Sequence, residues 1–232
     1  MNLLALDTSS DACSVALQVG KTIVERHVVR PKEHTQLLVP MIEEALDEAG
    51  ATFSDLDAIV PGIGPGSFIG VRIAASVAQG IAFASKLKLV PVSSLAAVAA
   101  ECFETAGPER IAVAQDAHMN EVYLALFTRG DAGLPVQSGA ALLAGIAPIA
   151  ALAEGGASGW QAAGAGWQRY PELLARNAVS LAGVIEVLYP RARFLLDLAR
   201  KDWAAGLAIE PDELLPDYLR EQVATAAPLS AC

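Results

Sequence analysis

Apolar and polar positions follow two periods along the first half of the chain. The stretch "LLALDTSSDACSVAL" from Leu3 reads as an apolar strand ending in Asp7, a polar turn and a second strand. "TIVERHVV" from Thr22 alternates with period two, as an antiparallel strand with one covered face does. In "EHTQLLVPMIEEALDEAG", residues Leu37, Leu38, Met41, Ile42, Ala45, Leu46 and Ala49 recur at helical spacing, with Thr35 expected as cap and Gly50 as stop. "LDAIVPG" then reads as a strand. A loop carrying Gly62, Gly64, Gly66 and Ser67 follows it and leads into a second helix over about residues 70–85, with Ser67 as its cap.

The opening pattern occurs twice. "AVAQDAHMNEVYLAL" from Ala112 aligns without a gap under the first hairpin and places Asp116 beneath Asp7. A hairpin, third strand, helix, strand and helix make a ribonuclease-H-like half. Two in tandem predict an α/β protein of the actin/Hsp70/sugar-kinase (ASKHA) architecture. "ETAGPER" supplies the linker, so the expected lobes are residues 1–104 and a degenerate second half over residues 105–232. After "EVYLALFT" the second half passes through an Ala/Gly-rich stretch from Gly130 to Gly166. It then turns helical between Pro190 and Gly206 and closes on "PDYLREQVATAAP".

The second helix changes the picture, because beyond Arg72 it is apolar or small almost all round. Ile73, Ala74, Val77, Ala78 and Ile81 leave no polar face, and a helix apolar on every side must be buried on every side. Two occupants are open: the second half of the same chain, or another protein docking on this helix and on the stripe Leu37, Leu38, Met41, Ile42 and Ala45 of the first helix. A formal charge of −10 disfavours a free-standing nucleic-acid binder. Hydrophobic residues at 53% against 18% charged favour association. Cys13, Cys102 and Cys232 are too scattered for a metal or disulfide framework. Asp7 cuts short the N-terminal apolar run, and Pro148 interrupts the longest one, so a cytoplasmic protein is expected.

Candidate chemistry is sparse. The loop lacks the lysine of a Walker phosphate loop, and Ile69 stands where a Rossmann fingerprint needs glycine. What remains is a helix start able to attract an anion through Thr8, Gly64, Gly66 and Ser67, or simply a tight turn. Arg72 either faces a carboxylate or covers the loop. Asp7 and Asp116 stand where a kinase of this architecture holds Mg²⁺ and phosphate, although both turns lack the glycines that close backbone approach requires. The histidines His27, His34 and His118 have no metal-ligand spacing, and no catalytic or metal residue is assigned.

Together, "LLALDTSSDACSVAL", "EHTQLLVPMI", "GPGSFIGVRIAASVAQGIAF", "PVSSLAAVA", "AQDAHMNEVYLALF", "GAGWQRYP" and "PDYLRE" resemble the bacterial tRNA threonylcarbamoyladenosine biosynthesis proteins of the TsaB (YeaZ) family over nearly the whole chain. The resemblance implies an actin-like fold without its own catalytic site. It implies pairing with a larger catalytic paralogue, TsaD, joined by a small ATPase, TsaE, and self-association when alone. The contacts would run through the first two helices. ATP or ADP with Mg²⁺ would belong to the contact with partners, and tRNA would be met only through the complex. Ile69 departs from the family's usual threonine. The competing readings are an ATP-dependent phosphotransferase and a metallopeptidase, the latter without paired histidines.

Overall fold

A computed structural model describes residues 1–153 and 159–219. In chain order the elements are β1 (Leu3–Asp7), β2 (Ala12–Val19), β3 (Thr22–Val29), α1 (His34–Ala49), β4 (Ala58–Pro61), α2 (Phe68–Ser85), β5 (Lys88–Leu89) and α3 (Ser94–Thr105). There follow β6 (Arg110–Asp116), β7 (Glu121–Arg129), β8 (Pro135–Gln137), β9 (Leu142–Gly145), α4 (Ala150–Ala153) and β10 (Trp160–Ala163). The last are α5 (Ala165–Arg169), α6 (Pro171–Asn177), β11 (Leu181–Val184) and α7 (Ala192–Ala204).

The repeat read from the two hairpins holds at the level of topology. The first sheet is ordered β3-β2-β1-β4-β5 and the second β8-β7-β6-β10-β11, with β9 also on β7. In each, the opening strand pairs antiparallel with its hairpin partner and, on its other edge, parallel with a later strand, β4 in the first sheet and β10 in the second. The chain therefore has the two-lobed ASKHA architecture.

β1 is apolar throughout because both faces of its sheet are covered, and its side chains alternate between two cores. Leu4 and Leu6 pack with Leu38, Ile42, Ala74 and Ala78 of α1 and α2. Leu3 and Ala5 pack with Ala97 of α3 and with Phe194, Leu195 and Leu198 of α7. The opposite side of α3, with Leu95, Val98 and Phe103, covers Ile111, Val113 and Phe127 of the second sheet, so one helix serves as a wall for both lobes.

"ETAGPER" spans the junction of α3 and β6, and the second half over residues 105–232 does not pack wholly on the second sheet. Its C-terminal part returns: α7 closes the far face of the first sheet, Ile209 pairs with Leu89, and Leu214 is buried in the first core. The physical reason is the hydrophobic far face of β1 and β4, which no element of residues 1–104 other than α3 covers. The end of "PDYLREQVATAAP", from Arg220, lies outside the described residues.

Gly50 ends α1 in the left-handed conformation, with φ 61°, as expected. Thr35 is not its cap: it lies inside the helix, while Glu33 takes the cap position without a side-chain bond. His34 is buried instead, and its Nε2 sits 2.8 Å from the Ser10 carbonyl oxygen, tying α1 to the first turn.

Candidate functional site

The glycine loop and the Asp7 turn lock into each other. The Ser67 amide donates to the Ser9 carbonyl at 2.7 Å, and the Thr8 hydroxyl donates to the Gly70 carbonyl at 2.7 Å. A Cβ at Gly62, Gly66 or Gly70 would fall far inside the 3.0 Å that real Cβ atoms respect, against Asp7, Ser9 and Thr8 respectively. Gly64, at φ 88°, donates its amide to Ser94 Oγ at 3.0 Å. The glycines thus serve close approach of protein to protein, and the amides of Gly62, Ile63, Gly64 and Ser67 already have acceptors. Ser67 caps α2 as expected, its Oγ accepting the Gly70 amide at 3.3 Å.

Asp7 closes this lock from inside. It is 1% exposed; Oδ1 accepts the Ser9 amide at 2.8 Å and the Ser9 hydroxyl at 2.7 Å, while Oδ2 accepts the Ser94 hydroxyl at 2.5 Å. Burial pushes its pKa up, against the pull of these hydrogen bonds. Ser94 was not singled out from the sequence. The available signal was the serine pair opening α3: Ser93 accepts the Ala96 amide as the cap, which leaves Ser94 to turn towards Asp7.

The linkage has a definite sign. A carboxyl group whose folded pKa is raised binds its proton more tightly in the native state, so stability falls as pH rises from the ordinary carboxylate range through the raised value. Asp7→Asn removes that slope, and urea midpoints measured between pH 4 and pH 8 should decline less steeply for the variant than for the wild type. Parallel curves would show that Asp7 is not the group responsible.

Asp116, the counterpart of Asp7 in the repeat, has a different environment. Its Oδ1 accepts the His118 amide and the Tyr170 hydroxyl, each at 2.8 Å, and His118 Nδ1 lies 3.2 Å from Oδ2. It anchors a turn in which His118, Met119 and Asn120 have φ of 60°, 56° and 60°, a left-handed run that L-residues rarely adopt. The cleft between Asp116 and the first lobe is a cavity of about 380 Å³. Among the described residues Lys32 is the only lysine or arginine lining it, with Asp11 and Asp116 opposing. A triphosphate would meet a single, exposed lysine there among the described residues. No group of three His, Cys, Asp or Glu side chains among the described residues is placed to hold a metal ion.

Arg72 covers the loop rather than facing a carboxylate. Its guanidinium lies 3.3 Å from the centre of the Phe68 ring and 4.8 Å from that of Tyr218, and Nη1 donates to the Phe68 carbonyl at 3.2 Å.

The two helices divide their apolar residues between core and surface. Of the residues expected to meet a partner, Leu38, Met41, Ile42, Ala45, Ala74 and Ala78 are buried in the first lobe's own core. Their side chains face the sheet, and the sequence could not say which side of each helix the sheet would take. Leu37, Ile73, Val77 and Ile81 remain half-buried at the surface. The stripe is extended by Ile69, 69% exposed, while Phe83, 81% exposed, lies on the side of α2 opposite Ile81. On α2, Ile69, Ile73, Val77 and Ile81 recur every four residues and so lie along one face. By length and composition α2 is the one helix among the described residues that could span a membrane, but its sheet-facing third is core.

The fold and this geometry define a class: a two-lobed ASKHA-type protein whose first aspartate is sealed and whose first lobe presents an apolar helical face. Comparison narrows the class. The family described as "TsaD: tRNA N6-adenosine threonylcarbamoyltransferase" matches residues 28–192. The chain is 35% identical over 226 residues to the tRNA threonylcarbamoyladenosine biosynthesis protein TsaB of Escherichia coli (strain K12), covering 97% of this chain and 96% of that protein. It is also 35% identical over 228 residues to the Haemophilus influenzae protein of the same name, covering 96% and 95%. A solved structure, YeaZ from Pseudomonas aeruginosa, superposes with a TM-score of 0.86 at 39% identity, covering 94% of this chain and 99% of that one. The chain belongs to the TsaB (YeaZ) family.

Proposed function

We propose that this protein is a non-catalytic scaffold subunit for threonylcarbamoylation of tRNA adenosine in the cytoplasm, docking its larger paralogue TsaD along α1 and α2, with the ATPase TsaE joining the pair. The observation that carries this reading is the surface stripe Leu37, Ile69, Ile73, Val77 and Ile81 on a first lobe whose own core already holds the sheet-facing residues of both helices. Such a stripe costs free energy while it faces water, and burying it drives association. The same stripe serves self-association when the paralogue is absent. Sealing of Asp7 by Ser9, Gly62 and Ser94 supports a non-catalytic role, since the carboxylate has no path to Mg²⁺ or phosphate. It disfavours the phosphotransferase reading, and any ATP or ADP with Mg²⁺ belongs to the contact with partners. The charge of −10 fits a subunit that leaves tRNA to those partners.

The test is association with the purified paralogue, followed by light scattering after size exclusion. The wild type should form a one-to-one complex. Ile73→Glu with Val77→Glu should weaken it by about 100-fold, as expected for central apolar contacts worth roughly 2–4 kcal/mol together, while circular dichroism stays unchanged because neither side chain is fully buried. No complex with the wild type, or an unimpaired double variant, would remove the proposal.

A further inference from the structure

A second cavity, of about 210 Å³, opens beside the start of α2, where the C-terminal strap passes from the first lobe to the second. The strap is pinned on one side by buried Leu214 and by the Asp217 amide, which donates to the Ile63 carbonyl at 2.9 Å. On the other side Leu219 packs against the second core. The cavity is walled by Phe68, Tyr123, Tyr218 and Met119. Three of these form an exposed apolar rim, with Phe68 at 41%, Tyr218 at 43% and Met119 at 67% exposure.

Asp116, exposed Asp217 and His118 are the titratable residues with carboxylate or imidazole side chains that line this space, and no lysine or arginine lines it among the described residues. Asp116 accepts the His118 amide and the Tyr170 hydroxyl, whereas the Asp217 carboxylate makes no hydrogen bond or ion pair with any described residue. The chemistry of the occupant follows by elimination. An anion would be repelled by both acids. A purely apolar group would fill the walls but displace water from the carboxylates without replacing its hydrogen bonds. A planar cation on an apolar stem satisfies both, since guanidinium stacks on aromatic faces and binds carboxylate through two N–H groups. Arg72 already stacks its guanidinium on one face of Phe68, 3.3 Å from the ring centre, and lies 4.8 Å from the Tyr218 ring centre, so an incoming guanidinium must take the ring faces turned away from Arg72. The rim also runs on from the α2 stripe, because Ile69, next to Phe68, lies one turn before Ile73 on the same face.

We propose that this pocket receives an arginine side chain from a protein docked along α2, with Asp217 as its ion-pair partner and the Phe68 and Tyr218 rings holding its stem and plane. Only the ownership of that arginine rests on the scaffold reading; the preference of the pocket for guanidinium stands by itself. The full chain, labelled with ¹⁵N, is titrated with the capped tripeptide acetyl-Gly-Arg-Gly-amide and, separately, with its norleucine analogue, which has a similar length and no charge. The arginine peptide should give saturable shifts confined to the amides around residues 66–68, 117–119 and 217–219, and the norleucine peptide should not. Asp217→Asn should weaken binding by about tenfold, the loss of one charge-assisted hydrogen bond, with the rest of the spectrum unchanged. Should that variant fail to fold, Tyr218→Leu should weaken binding through the lost ring face. No saturable shift, an equal response to norleucine, or undiminished affinity in the folded variants overturns the proposal. A wild type that binds the paralogue but not the arginine peptide removes the pocket and leaves the scaffold. The opposite result removes the scaffold and leaves the pocket.

Discussion

Gly70→Ala is expected to destabilise the protein by about 3 kcal/mol, a large fraction of the stability of an ordinary domain. The new Cβ would drive into the carbonyl of Thr8, which is backbone of the first turn and has no rotamer by which to withdraw. Relief requires α2 to lift from that turn. Lifting breaks the Thr8 hydroxyl bond to the Gly70 carbonyl and the Ser67 amide bond to the Ser9 carbonyl, each at 2.7 Å. Because α2 also carries the proposed partner stripe, association should weaken along with stability. The control lies on the same helix. Gly80 is exposed, and a Cβ there meets nothing within 4 Å, so Gly80→Ala should stabilise by roughly 0.5–1 kcal/mol through helix propensity alone. Urea midpoints measured for both variants should therefore move in opposite directions. A shared direction would mean that the contact of α2 with the first turn is not what holds the helix.

Arg191→Met should cost about 2 kcal/mol and loosen α7, with a deficit that depends on pH. Arg191 pairs with Glu25 through two bonds, at 2.6 and 3.1 Å, and approaches Glu101 at 3.5 Å, so it ties β3 and α3 together at the head of α7. The next residue continues the tie, since the Ala192 amide donates to Ser14 Oγ at 2.8 Å. Without the guanidinium, two largely buried carboxylates face each other uncompensated, and removing one partner of a buried ion pair is costly. The figure is set below that of a fully buried pair because the arginine side chain is 38% exposed. Glu101 already has a raised pKa through burial, opposed by Arg191, and loss of Arg191 lifts it further. A raised folded value means that protonation favours the native state. The deficit should be largest at pH 8 and shrink as pH falls towards the ordinary carboxylate range. Urea unfolding at pH 5 and pH 8 checks this, and a deficit independent of pH would place the cost in lost packing of the arginine stem instead.

The sequence by itself determined the local elements and their duplication. A strand over "TIVERHVV", helical spacing in the two helices of the first lobe, Gly50 as a stop and Ser67 as a cap are properties of neighbours along the chain, and each stands in the structure. Burial along that edge strand nevertheless does not alternate, with Val24 buried and Ile23, Val28 and Val29 exposed. The repeated hairpin sufficed for the two-sheet architecture. It was less informative across the Ala/Gly-rich second half, where β8 to β11 are three or four residues long and too short for a period to declare itself. Tertiary structure alone decided the rest. Asp7 and Asp116 occupy matching places in matching hairpins. Yet Asp7 is sealed by Gly62 and Ser94, distant in sequence, while Asp116 holds a left-handed turn at a cleft. Only the position of the sheet decided that Ala74 and Ala78 are core while Ile73 and Val77 face outward. Only the uncovered far face of the first sheet decided that α7 would return to it. Burial and electrostatic environment are set by groups far apart along the chain, and one sequence read in order carries no record of which of them will meet.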